Sequence, residues 1–214
     1  MKNEPYRSIV PEILSKFGIR SVLSLDLETV ILNKNSFLTN ETIIAVSLSY
    51  YTEDMQNELY ISQGEDADSE FQILQKLDTF LGNFKPAILI GYNHTGYDIP
   101  LLRIKMAKLP YAKQIWNAKY VLSTAYCLDM MQVISDFLGD YDGDYRYRKL
   151  SEVVSHEAFM ELPLDRKKHV VIRDDMNIGE AIYHMWKNGS PEFMEYCRGD
   201  TRDVLSIFRY IFRA

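Results

Sequence analysis

The chain has 214 residues, 47% of them apolar, so it can bury a full core and its length suits one domain. With 24 basic against 30 acidic residues the net charge is −6, which argues against a protein that coats nucleic acid electrostatically but not against one that grips only a chain end. No apolar run approaches the ~18 residues of a membrane span, no cleavable leader pattern is present, and the two cysteines, Cys127 and Cys197, lack metal spacing. The expectation is therefore a soluble, intracellular (cytoplasmic) protein with reduced thiols and no membrane partner.

In chain order, a helix is expected around residues 11–17, followed by a strand over 21–28. Ile44, Val46, Leu48 and Tyr50 alternate with smaller residues, the period-2 pattern of a second strand, and residues 59–62 would pair with it after a polar turn. The acidic stretch 64–68 precedes an amphipathic helix over 69–84, with Phe71, Leu74, Leu77 and Leu81 along one stripe. After Pro86 the short apolar run Ala87-Ile88-Leu89-Ile90-Gly91 suits a strand buried on both faces. A helix over 98–109, ended by Pro110, comes next, then a strand within 123–129 and a helix running to Leu138. Residues 139–144 read as an exposed loop. Beyond them lie a short helix over 150–157, an irregular basic stretch, and helices near 178–187 and 191–212. No repeat, low-complexity tract or linker divides the chain, so residues 1–214 are read as a single domain. Periodicity alone says α/β.

Chemistry concentrates in three segments. In Ser24-Leu25-Asp26-Leu27-Glu28-Thr29, alternate strand residues share a face, so Asp26 and Glu28 project together while Leu25 and Leu27 turn to the core. Two carboxylates held about 5–7 Å apart repel unless a cation sits between them, and an oxygen-only ligand set favours magnesium or manganese over zinc. The alternative is a solvated strand end. The second segment, residues 91–102, follows an apolar strand and places Asp98 where a helix should begin. In the third, Tyr196-Cys197-Arg198-Gly199-Asp200, the i, i+4 spacing stacks Tyr196 and Asp200 on one helix face.

Taken in this order, the three segments resemble the Exo I, II and III motifs of the DEDD 3′–5′ exonucleases, in the subgroup whose third motif is Tyr-x-x-x-Asp. The second motif is most similar to that of the proofreading exonuclease domain of family B DNA polymerases, and the resemblance spans roughly residues 22–205. The histidine subgroup would need His where Glu195 stands. The resemblance implies a ribonuclease H-like α/β fold, a central mixed β-sheet flanked by α-helices, with the motif-bearing core over about residues 20–212. It implies that Asp26, Glu28, Asp98 and Asp200 converge on two Mg2+ or Mn2+ ions and that Tyr196 orients the attacking water. With an ordinary pKa near 10, a tyrosine is an orienter and not a resting-state base.

The same resemblance places Leu27, Thr29, Asn93 and Tyr97 against the terminal nucleotide, with Phe37 as a further stacking candidate. An Asx turn is the alternative for Asn93, and a core or surface aromatic the alternative for Phe37 and Tyr97. Gly199 would allow α-helix and sheet to approach closely, or be an exposed glycine. Asp129 and Asp203 are spare carboxylates, and His94 and His184 have no partner at ligand spacing. Tyr145-Arg146-Tyr147-Arg148-Lys149 and Arg166-Lys167-Lys168-His169 are either substrate contacts or solvated loops. The expected substrate is DNA with a free 3′ end, in the company of replication or repair proteins. An exoribonuclease and a non-catalytic nucleic-acid-binding module of the same fold are the alternatives.

Overall fold

The strand that carries Asp26 and Glu28, β1 (Val22–Ile31), is buried on both faces, which fits its position in the middle of the sheet. The structure is a computed structural model that describes residues 4–31, 41–108, 110–166 and 178–214. Around β1 are β2 (Glu41–Tyr51), β3 (Met55–Ile61), β4 (Ile88–Gly91) and β5 (Tyr126–Asp129), in the order β3-β2-β1-β4-β5. The first three strands pair antiparallel, whereas β4 pairs parallel to β1 and β5 parallel to β4, so the sheet is mixed. The expected α/β architecture, three strands followed by strands alternating with helices, is thus observed.

The helices divide between the two faces. Leu23, Leu25 and Leu27 of β1 pack with α2 (Ala67–Phe84), α3 (Asp98–Ala107) and α4 (Asn117–Thr124), through Leu74, Leu77, Leu81, Ile99, Leu102 and Val121. On the opposite face lie α1 (Tyr6–Phe17), α5 (Met130–Asp142), α6 (Leu150–Val154), α7 (Ile178–Lys187) and α8 (Pro191–Phe212). Helix α8 lies directly against β1 and β2. Small hydroxyls line that contact: Thr201 Oγ1 meets Ser47 Oγ at 3.0 Å and Ser49 Oγ at 2.8 Å. Gly199 is buried, so the exposed alternative does not hold. Opposite Glu28 and Thr29 the register of β2 slips by one residue, and both Ile44 and Ala45 face the α7–α8 cluster. Such bulges bend a strand locally and re-aim the side chains beside it.

Several boundaries differ from expectation. Residues 139–142 are not an exposed loop but the last turn of α5: Gly139 accepts the Gly143 N–H at 3.0 Å, and Gly143 sits at φ 84°, the left-handed conformation that ends helices at glycine. The strand expected within 123–129 is only the four residues of β5. Before it runs α4, whose Ala118, Val121 and Leu122 bury at helical spacing while Asp78 accepts the Ala118 N–H at 2.8 Å. Helix α1 begins at Tyr6 with Pro11 inside it, α3 ends at Ala107, and α6 is cut to five residues and followed by a 3-10 turn at Glu157–Phe159. Both cysteines are free thiols. Among the described residues, no helix is long and apolar enough to cross a membrane.

Candidate active site

Asp26, Glu28 and Asp200 meet where β1 passes beneath α8, each offering a carboxylate oxygen, and these oxygens all lie within 4.8 Å of one another. Glu28 is buried and the other two are half-buried. Like charges at this spacing, partly removed from water, call for a cation, and an all-oxygen donor set fits magnesium or manganese. The donor chemistry of the residues present therefore fits the metal that the sequence implies.

Asp98 stands outside that group of three. It is the first residue of α3, 4% exposed, and accepts the backbone N–H of Leu27. Burial, and then the Asp26 charge, hold its carboxyl well above the usual carboxylate range. A group pressed toward its protonated form by a neighbouring carboxylate gains most when a cation neutralises both. Leu27, expected at the substrate, turns its side chain into the core and presents only its backbone near the acids, where its N–H is used by Asp98.

Tyr196 lies one turn before Asp200 on α8. Burial raises its phenol pKa strongly, and Glu28, Asp200 and Asp26 add to the effect, so the hydroxyl keeps its proton. It can orient a water by hydrogen bonding and cannot deprotonate one. Tyr97 and Thr29 join through their hydroxyls at 2.7 Å, tying the loop before α3 to the end of β1.

A cleft of about 490 Å3 opens beside the acids, with Asp26, Asn93, Tyr147, Lys149, Tyr196 and Asp200 on its walls. Asn93 is exposed at its edge at φ 59°, and its carbonyl accepts the Gly96 and Tyr97 N–H groups at 3.1 and 3.2 Å, so it serves as a turn residue as well as facing the cleft. Of the aromatic-cation segment 145–149, Tyr147, Arg148 and Lys149 line the cleft. The segment's charges are mostly consumed within the fold. Arg148 is buried and paired with Asp142 and Asp144 at 3.0 and 3.1 Å, and its carbonyl accepts the Tyr92 hydroxyl. Arg146 is held by Asp144 and Glu152 at 2.9 and 3.1 Å. Lys149 is exposed on the cleft and makes no ion pair among the described residues. Sequence reading marked the whole segment; only three-dimensional pairing distinguishes Lys149 from its neighbours.

The remaining candidates separate as well. Asp203 is buried and accepts the Asp165 N–H with both oxygens at 3.2 Å, a structural use. His94 is fully buried, and burial holds its pKa down to about 4, so it is a neutral ring beneath the cleft; His184 is exposed on α7. Arg166 binds the carbonyls of Phe159, Met160 and Leu162, while Phe37 and Lys167, Lys168 and His169 lie outside the described residues. Asp129, one of the spare carboxylates, contacts the loop that bears Asn93.

Comparison with known proteins gives a family and a fold. The family described as DNA polymerase family B, exonuclease domain, matches residues 9–119, just over half of the chain, a segment that includes Asp26, Glu28 and Asp98. A family B DNA polymerase from the hyperthermophilic archaeon Pyrobaculum calidifontis shares the fold, with a TM-score of 0.65 and 18% sequence identity over 89% of this chain. The chain spans 24% of that polymerase. No curated protein matches the sequence.

Proposed function

Because the chain belongs to the exonuclease-domain family of family B DNA polymerases, a family of 3′–5′ exonucleases, we propose that residues 1–214 form one exonuclease domain that releases nucleotides from the 3′ end of DNA. The observation that carries this reading is the meeting of Asp26, Glu28 and Asp200 within 4.8 Å, with Tyr196 one helical turn away. Asp26, Glu28, Asp98 and Asp200 would hold two divalent cations, Mg2+ or Mn2+. When bound, such a pair supplies the Lewis acidity that activates water and neutralises the leaving 3′ oxygen.

The chain's own residues do the rest. Tyr196, kept protonated by its acidic neighbours, hydrogen-bonds the attacking water and holds it in line with the scissile phosphorus. Asn93 borders the terminal nucleotide from the cleft and the hydroxyl-linked Thr29 and Tyr97 support it from outside the cleft lining, while Lys149 and Tyr147 meet the strand, one with a positive charge for phosphate and the other with a ring for a base. A lysine in the cleft without an ion pair among the described residues suits a protein of net charge −6 that grips an end and does not coat a strand. The reading makes the protein soluble and intracellular, working beside replication or repair proteins.

The test uses a 5′-labelled single-stranded DNA with Mn2+. A descending ladder is expected, abolished by excess EDTA, with a closed circular single strand left intact. A frayed 3′ end should be degraded faster than a matched blunt end, since unpairing a terminal nucleotide costs about a few kcal/mol. Cutting of the circle overturns the reading. Faster degradation of RNA of the same sequence moves the substrate to the exoribonuclease alternative, and binding without hydrolysis would leave the non-catalytic module.

A further inference from the structure

The carboxylate of Asp129 accepts four hydrogen bonds. Oδ1 takes the Asn93 N–H at 2.9 Å and the Met131 N–H at 3.0 Å; Oδ2 takes the Thr95 N–H at 3.2 Å and the Thr95 hydroxyl at 2.6 Å. The bond to Met131 is an ordinary helix cap, since Asp129 precedes α5. The other three go to the β4–α3 loop, which belongs to a different part of the chain. Asp129 is placed for this because it ends β5 directly opposite Gly91, the residue with which β4 ends and that loop begins.

The loop matters for the site at both its ends. Asn93 faces the cleft from a left-handed backbone conformation that costs about 1 kcal/mol or more unless its surroundings impose it. Five residues later the loop delivers Asp98 to the base of the acid cluster. Bonds from N–H and O–H groups to a carboxylate are stronger than neutral ones, so one carboxylate can hold this short loop in a single arrangement. The same count excludes the other roles open to Asp129. A carboxylate has about four acceptor positions, and all four are used, which leaves none for a metal ion.

We propose that Asp129 is a positioning residue of the exonuclease site: it clamps the β4–α3 loop to the end of β5 and thereby sets Asn93 at the cleft. This rests on the exonuclease reading above, in which Asn93 touches the substrate.

The experiment is a double-mutant cycle on kcat/KM for release of the first nucleotide from a 5′-labelled single strand with Mn2+, using wild type, Asn93→Ala, Asp129→Asn and the double variant. The amide that Asp129→Asn introduces would keep the Oδ1 pair but turn an NH2 group toward the Thr95 N–H. The expected loss for Asp129→Asn is about 10–100-fold, the scale of a misplaced contact group. Because Asp129 acts through Asn93, the double variant should be little worse than the poorer single variant. Losses that multiply, or wild-type kinetics in Asp129→Asn, overturn the proposal. Should Asp129→Asn fail to fold, Thr95→Val, which removes one donor, replaces it in the same cycle with a smaller expected loss. Amide hydrogen exchange gives a readout independent of turnover. The Asn93 and Thr95 N–H groups should exchange at least about ten-fold faster in Asp129→Asn while the inner amides of α5 stay protected. Unchanged exchange refutes the clamp even if wild type releases no nucleotide, an outcome that by itself rejects only the exonuclease reading.

Discussion

Asp26 on β1 and Asp200 on α8 come from opposite ends of the chain, yet their carboxylate oxygens lie within 4.8 Å of each other and of Glu28. The metal-free protein therefore carries an electrostatic cost at its centre, because burial weakens the screening that water would give. A bound cation removes that cost. Mn2+ at about 100 times its Kd should stabilise the fold by about 2.7 kcal/mol, which raises Tm by about 5–10 °C for a chain of this size. Thermal unfolding with Mn2+ and then excess EDTA checks this; an unchanged Tm would mean that the three acids bind no metal.

Asp26→Ala and Asp200→Ala should each abolish detectable nucleotide release, since a methyl group cannot replace a metal ligand. The metal-free fold should survive both changes and gain slightly in Tm from the relief of like charge. Asp203 is buried outside the three-acid group and accepts the Asp165 N–H, so it is not placed to substitute. Near-wild-type release by Asp200→Ala would remove α8 from the proposed mechanism.

Tyr196→Phe separates orientation from metal binding. The phenol keeps its proton in this acidic surrounding, so its loss removes one positioned hydrogen bond and no ligand. The rate should fall by about 10–1000-fold while the Mn2+ affinity, read by calorimetry, stays within about two-fold. A collapse of Mn2+ binding would show that the hydroxyl belongs to the metal site.

His94 gives the pH dependence a sign. Its imidazole is held at about 4 in the folded protein by burial, against the opposing pull of the Asp129 charge and the Ile90 carbonyl, while the unfolded chain titrates near the ordinary 6.5. Between those values the unfolded chain binds a proton that the folded chain refuses. The stability supplied by the neutral ring is thus complete above pH 6.5 and is lost as pH falls toward 4. The loss approaches about 3 kcal/mol at the acid end. His94→Gln should flatten the acid arm of urea midpoints measured in EDTA. An acid arm as steep as that of wild type would assign the slope to another group.

The features legible in the sequence are those set by residues close along the chain. Two-residue periodicity places Asp26 and Glu28 on one strand face and Leu25 and Leu27 on the other; helical periodicity stacks Tyr196 on Asp200; and the order of strands and helices gives the α/β class. Local reading failed where a distant partner decided the outcome. Helix α4 is capped by Asp78 from α2, and each short helical segment is marginal without such tertiary support. Charge was the least legible property. Lys149 and Arg148 are adjacent, yet Asp142 and Asp144 neutralise one and leave the other facing the cleft. Asp98, Asp129 and Asp203 are chemically the same side chain, and the fold makes them a group pressed toward protonation, a loop clamp and a structural acceptor. Spacing along a chain fixes which way a side chain points, but the worth of a carboxylate depends on burial and on donors and charges across space, and these exist only once the sheet and helices have met.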